Sequence, residues 1–243
     1  MRAPRKLTRP RPVAALVFAL ASFEGCGGRV QPYQGQLVIH VDSDAFVPPA
    51  PGSAVDPHRP PWLFDRVRFE LFHAGSPAPV NGNSRDFSID EGMFRTGSVS
   101  VGVLPDVGDA TYTVRVTLFR GDRAIDGLPP QSMVLQSTAS LPPVAADGLN
   151  DVTIVLHTAD VGQSVGSGAP NAATLGAPST SLIESWQAGA YQACAHAPAT
   201  GQRCIPGGAY WFGDPAMRGQ TEGNDIYDEA LVVVSPFFLD ATE

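Results

Sequence analysis

Beyond position 6 the chain has no lysine, so arginine carries every later positive side-chain charge. Lys+Arg 16 against Asp+Glu 24 leaves a formal charge of −8 over 243 residues. An acidic chain without basic clusters is poorly suited to neutralising a run of phosphates, which argues against nucleic acid and anionic lipid as partners. Cysteine is also scarce: Cys26, Cys194 and Cys204 form no CxxC pair and supply no four-ligand zinc set. A serine-histidine-acid set, a phosphate loop and an HExxH motif are all missing, which removes the usual motif-borne routes to hydrolysis and nucleotide chemistry. The apolar run Val13 to Ala21 is too short to cross a bilayer core of ~30 Å.

What is abundant is Gly 25 and Pro 23, a composition that favours short strands and frequent turns over long helices. The first residues read as an export signal: Arg2, Arg5, Lys6, Arg9 and Arg11 precede the apolar run, and small residues lead to Cys26. Cys26 between Gly25 and Gly27 resembles the lipidated cysteine of bacterial lipoproteins, although Phe23 and Glu24 stand where that signal prefers an aliphatic and a small residue. The expectation is a signal peptide over 1–25, a lipidated tether over 26–34, and attachment to the cell-envelope membrane through Cys26. Residues 1–25 hold five of the 16 basic residues and one of the 24 acidic ones, so their removal takes the formal charge from −8 to −12.

The middle of the chain alternates apolar and polar side chains in short blocks, the period of half-buried strands. In 35–44, Leu37, Ile39 and Val41 share a face; in 65–74, Val67, Phe69 and Leu71 do so. Strands are also expected over 98–104, 111–120, 132–141 and 151–157. Between the first two blocks, Pro48, Pro49, Pro51, Pro57, Pro60 and Pro61 predict a long exposed loop. The expected fold is mainly β: an antiparallel β-sandwich over 35–158 that resembles immunoglobulin-like or transthyretin-like accessory domains. Residues 159–181 are rich in Gly, Ala, Ser, Thr and Pro and predict a flexible linker. Ile183 to Ala195 reads as a short helix or an irregular lead-in.

Few residues invite a chemical reading. Cys194 and Cys204 predict a disulfide in an exported chain, and His196 between them offers a three-ligand metal site as the weaker alternative. Asp42-Ser43-Asp44 supplies too few oxygens for calcium. His40, His73 and His157 lie on strands without a nucleophile or acid at catalytic spacing. Asp225, Asp228 and Glu229 read as a solvated acidic loop.

The end of the chain carries the most specific pattern. Cys204-Ile205-Pro206-Gly207-Gly208-Ala209-Tyr210-Trp211-Phe212-Gly213 is a turn followed by an aromatic strand, and Leu231 to Leu239 is a second apolar strand interrupted by Pro236. In this order the residues resemble the opening of the formylglycine-generating enzyme (sulfatase-modifying factor) family. Gly207, Gly208, Tyr210 and Gly213 match its first motif, and Pro236, Phe237, Asp240 and Glu243 match its second. Phe212 departs from the usual Met, and Ala230 stands where a His often precedes the second strand. The resemblance covers residues 204–243 and implies that 182–243 is the front of an α+β domain. It also implies oxidation of a sulfatase cysteine with dioxygen at a copper-binding cysteine pair late in the domain, with calcium as a second metal. Cys26, Cys194 and Cys204 all precede that region and match neither member of the pair. The expectation is therefore an exported lipoprotein carrying an inactive front part of such a domain, with no catalytic residue and no cofactor in this chain. The alternatives are a surface protein that binds a protein or glycan, and an oxidase completed by a longer native chain.

Overall fold

The computed structural model describes residues 35–54, 56–104, 111–124, 126–143, 149–163, 171–213 and 229–241. Cys26 and the export segment, Asp225, Asp228 and Glu243 lie outside the described residues.

Two sheets face each other across one apolar core. The strands are β1 (Gln36–Ser43), β2 (Arg66–His73), β3 (Pro79–Ser88), β4 (Ser100–Val103), β5 (Tyr112–Phe119), β6 (Leu135–Ser140), β7 (Leu149–Leu156), β8 (Asn171–Ala172) and β9 (Thr174–Leu175). One sheet has the order β4-β1-β7-β9 and the other β3-β2-β5-β6-β8. The alternation places Leu37, Ile39 and Val41 of β1 and Val152, Ile154 and Leu156 of β7 inward. Opposite them lie Val67 and Phe69 of β2, Val114, Val116 and Leu118 of β5, and Leu135 and Ala139 of β6. Period-two burial of this kind gives each strand one core face.

The mainly β, sandwich-like fold is as expected, but its strands are not all antiparallel. β1 runs parallel to β7 through the whole register from Gln36↔Leu149 to Ser43↔Leu156, and β6 pairs parallel with β8. Alternation is the same in either sense, so strand direction left no trace in the pattern.

The proline-rich segment is not wholly exposed. Ala45, Phe46 and Val47 are buried at its start, and Leu63 N donates to Phe46 O at 2.7 Å, so only the tip projects. Two elements before β4 were not anticipated. β3 hides behind Pro79 and the left-handed pair Asn81 (φ 56) and Gly82 (φ 63), and its register against β2 shifts between Glu70 and Phe72. The helix α1 (Glu91–Arg95) is a single turn capped by Asp90, whose Oδ1 accepts from Met93 N at 3.0 Å.

Of the linker expected over 159–181, the described part from 171 to 176 is paired with the sheets. β8 extends one sheet and β9 the other, and Gly176 N donates to Asp151 O at 2.7 Å. The chain then runs beside 42–45: Leu182 N donates to Asp42, Glu184 N to Ala45 O, and Trp186 N to Asp44 O. Ile183 enters the core. The segment has little apolar surface, but edge strands are held through main-chain donors and acceptors, which composition does not display. All described residues belong to one compact unit, so 182–213 and 229–241 do not separate from the sandwich. Of the two readings of 183–195, the irregular lead-in is the one observed, with a 3-10 turn at Gln187–Gly189.

Candidate functional site

The two motifs at the chain's end meet. β10 (Gln202–Ile205) pairs antiparallel with β13 (Phe237–Asp240), and β11 (Gly208–Phe212) with β12 (Ala230–Val234). Gly207 sits where the two ladders cross. A Cβ there would lie 2.7 Å from both Pro236 Cδ and Val234 O, so the close approach of Pro236 requires glycine. Gly207 and Gln192 exchange backbone hydrogen bonds of 2.9 and 3.0 Å. Gly208 and Gly213 have φ of 151° and 107°, and Asp240 pairs with Gln202 at the open end. Tyr210 and Phe237 are exposed, along with Phe212, Val233 and Leu239. Trp211 points the other way: its Nε1 donates to Leu63 O at 3.2 Å, and its ring meets Phe64 edge-on at 6.0 Å.

Cys194 and Cys204 are joined in a disulfide with Cα atoms 6.2 Å apart. Their sulfurs are therefore not thiolates, and they fit neither a copper pair nor the three-ligand metal site. His196 stacks on Phe238 with ring centroids 4.5 Å apart, and its Nδ1 lies 3.1 Å from Ala197 O.

The acidic triplet is a structural clamp. Asp42 is buried and accepts from Ser43 N, Leu182 N and Ser181 Oγ, while Asp44 accepts from Thr158 N at 2.7 Å and Thr158 Oγ1 at 2.6 Å. Burial raises the Asp42 carboxyl above its ordinary range, against the opposing backbone hydrogen bonds and with a smaller push from Asp44. Oxygens spent on donors of the chain do not fit a calcium shell. Among the described residues, no group of three His, Cys, Asp or Glu side chains is arranged to hold a metal.

The strand histidines are likewise occupied. His40 Nε2 lies 2.9 Å from Asp151 Oδ1 and its Nδ1 3.3 Å from Gly97 O, which leaves neither nitrogen facing a serine. His73 packs on Tyr112 at 5.1 Å, and His157 lies 3.6 Å from Asp44 on the surface. Glu229 is buried with Arg123 at 3.8 Å, rather than on a solvated loop. On the outer face of the five-stranded sheet, Arg68 grips Asp86 through two 2.7 Å bonds, and Arg115 grips Glu70 at 2.7 and 2.9 Å. Arg68, Arg115 and Arg120 also lie over the rings of Phe119, Phe72 and Trp62.

A cleft of about 480 Å³ opens between the proline-rich loop, the first residue of α1 and residues 184–191. Arg59 forms its floor, ion-paired with Glu184 and with Glu91 at 3.3 Å, and donates to Val47 O at 2.8 Å. Arg95 closes the network from outside, 2.6 Å from Glu91 and 3.7 Å from Glu184. Burial lowers the Arg59 pKa, opposed by the Glu91 charge. His58 and Tyr191 stand at the mouth with ring centroids 4.9 Å apart. Nothing in the residue pattern signals this cleft, because most of its residues come from a stretch read as exposed loop and from the lead-in to the disulfide. No family model matches the chain, and no curated protein or solved structure matches it.

Proposed function

We propose that this chain is an exported envelope protein, anchored by lipid at Cys26, whose sandwich carries a module built like the front of a formylglycine-generating enzyme domain and has no oxidase activity of its own. The supporting observation is that the two motif segments pair with each other, with Gly207 packed where only glycine fits against Pro236. The cysteine chemistry of that family is not carried by Cys194 and Cys204, which are bonded to each other. A second reading, a surface binding protein, is favoured by the cleft above Arg59.

Labelled palmitate fed to cells expressing the full chain tests the anchor. Label is expected in the wild type and absent from Cys26→Ser; equal labelling of both, or none in either, overturns it. Incubation of the purified chain with a sulfatase-derived Cys-x-Pro-x-Arg peptide, copper and dioxygen tests the rest. No conversion above a metal-only control is expected, and turnover would overturn the inactive assignment.

A further inference from the structure

We propose that the cleft above Arg59 is a binding site for a neutral carbohydrate. The proposal deepens the surface-binding reading and is independent of the anchor at Cys26. A volume of about 480 Å³ lies within the range of small-molecule sites and far above the space of one water.

The chemistry of the floor selects the ligand class. Arg59, Glu91, Glu184 and Arg95 form a closed network of two positive and two negative groups. The Arg59, Glu91 and Glu184 side chains are only 14%, 23% and 20% exposed, so these groups are largely withdrawn from water. Such a floor offers guanidinium donors beside carboxylate acceptors with no net charge, and the one further carboxylate among the described residues lining the cleft, the exposed Asp56, accepts from His58 N at 2.8 Å. A sulfate or sialic acid would meet two carboxylates there, and a lysine or arginine side chain would meet Arg59. A hydroxyl both donates and accepts, so vicinal hydroxyls can use both kinds of group.

The walls suit the other side of a sugar ring. Tyr191, 38% exposed, and His58 put an aromatic surface at the mouth, and Pro49 and Pro60 add apolar carbon. Glycan rings present C–H faces that pack on such surfaces while their hydroxyls reach polar groups. Glu184 itself adopts φ 64, a conformation that favours glycine, yet carries the carboxylate that pairs with Arg59.

The test is binding of the fluorescently labelled full chain to an array of neutral, sialylated and sulfated oligosaccharides, followed by calorimetric titration with the strongest neutral binder. Retention on neutral hexose-containing glycans is expected, with affinity falling about tenfold in Tyr191→Ala and in Glu184→Gln. His58→Ala, at the exposed rim, is a second variant should Glu184→Gln fail to fold, and weaker binding is expected there too. Cys26→Ser is expected to bind as the wild type does, so a failed anchor and a failed cleft are told apart. Binding confined to charged glycans, no binding to any glycan, or neutral binding unchanged by both Tyr191→Ala and His58→Ala would overturn the proposal.

Discussion

Asp42 does the work of a covalent tie without being one. Its carboxylate receives Leu182 N at 3.0 and 3.1 Å and so fixes the start of the terminal segment to the end of β1. Truncation to Ala leaves these buried donors without acceptors, and about 2–3 kcal/mol of stability should be lost in denaturant titrations. The charge itself acts in the opposite direction. Because burial raises the Asp42 pKa above 3.8, the folded chain keeps its proton to higher pH than the unfolded chain does. As pH rises from about 3.8 through the folded titration, the unfolded state releases its proton first, and this group's contribution to stability falls. Asp42→Asn should remove that slope, so the stability difference between variant and wild type shifts in favour of the variant as pH rises through the window. A constant difference across it would show that Asp42 titrates alike in both states. At Gly207 the argument is steric. Alanine would place its Cβ 2.7 Å from the Val234 carbonyl oxygen, which is backbone and cannot swing away. Gly207→Ala should cost about 1–3 kcal/mol, with the loss read from the shift in denaturation midpoint at unchanged slope.

Elements with strong alternation were legible from the order of apolar and polar residues. β1, β5 and β7 each carry three or more core apolar side chains at spacing two, β2 carries Val67 and Phe69 with the partly buried Leu71, and only an extended backbone buries such sets. β3 was not, because it is an edge strand whose side chains are mostly exposed and whose turn residues mask its length. β8 and β9 are two residues each and are defined by main-chain pairing, a quantity side-chain chemistry does not report. The parallel partnership of β1 and β7 depends on where the five-stranded sheet sends the chain, and no local window contains that information. The disulfide was legible because two cysteines ten residues apart close a short loop. It links the segment before β10 to β10 itself, and Cys194→Ser with Cys204→Ser should cost about 2–3 kcal/mol. Mapping of non-reduced peptides by mass should find the 194–204 pair in the purified chain; free thiols at both positions would remove this contribution.

At the scale of the whole molecule, the question is whether the terminal segment unfolds with the sandwich or before it. Three contacts join them: Trp211 Nε1 to Leu63 O, the Phe64–Trp211 ring pair, and the run from Leu182 to Trp186 beside Asp42, Asp44 and Ala45. Phe64 and Leu63 are fully buried, and Ile183 belongs to the same core cluster as Val41 and Leu156. Apolar groups shared between two regions make the unfolding of one expose surface of the other, which couples the two into a single transition. Trp186 and Trp211 lie in the terminal segment and are packed against the core, so once the third tryptophan is removed by Trp62→Phe, fluorescence follows the junction, while far-ultraviolet circular dichroism follows the strands. The two signals should change together in denaturant for this otherwise wild-type chain. Trp211→Ala deletes the indole hydrogen bond and the ring contact of a partly buried side chain, and should lower stability by about 2–3 kcal/mol, less than for a fully buried tryptophan. It should also pull the transitions apart, with the signal of Trp186 changing at lower denaturant than the strand signal. Separate transitions already in the Trp62→Phe chain would mean that the terminal segment folds as its own domain, and that the edge strands β8 and β9 are too weak to bind it to the sandwich.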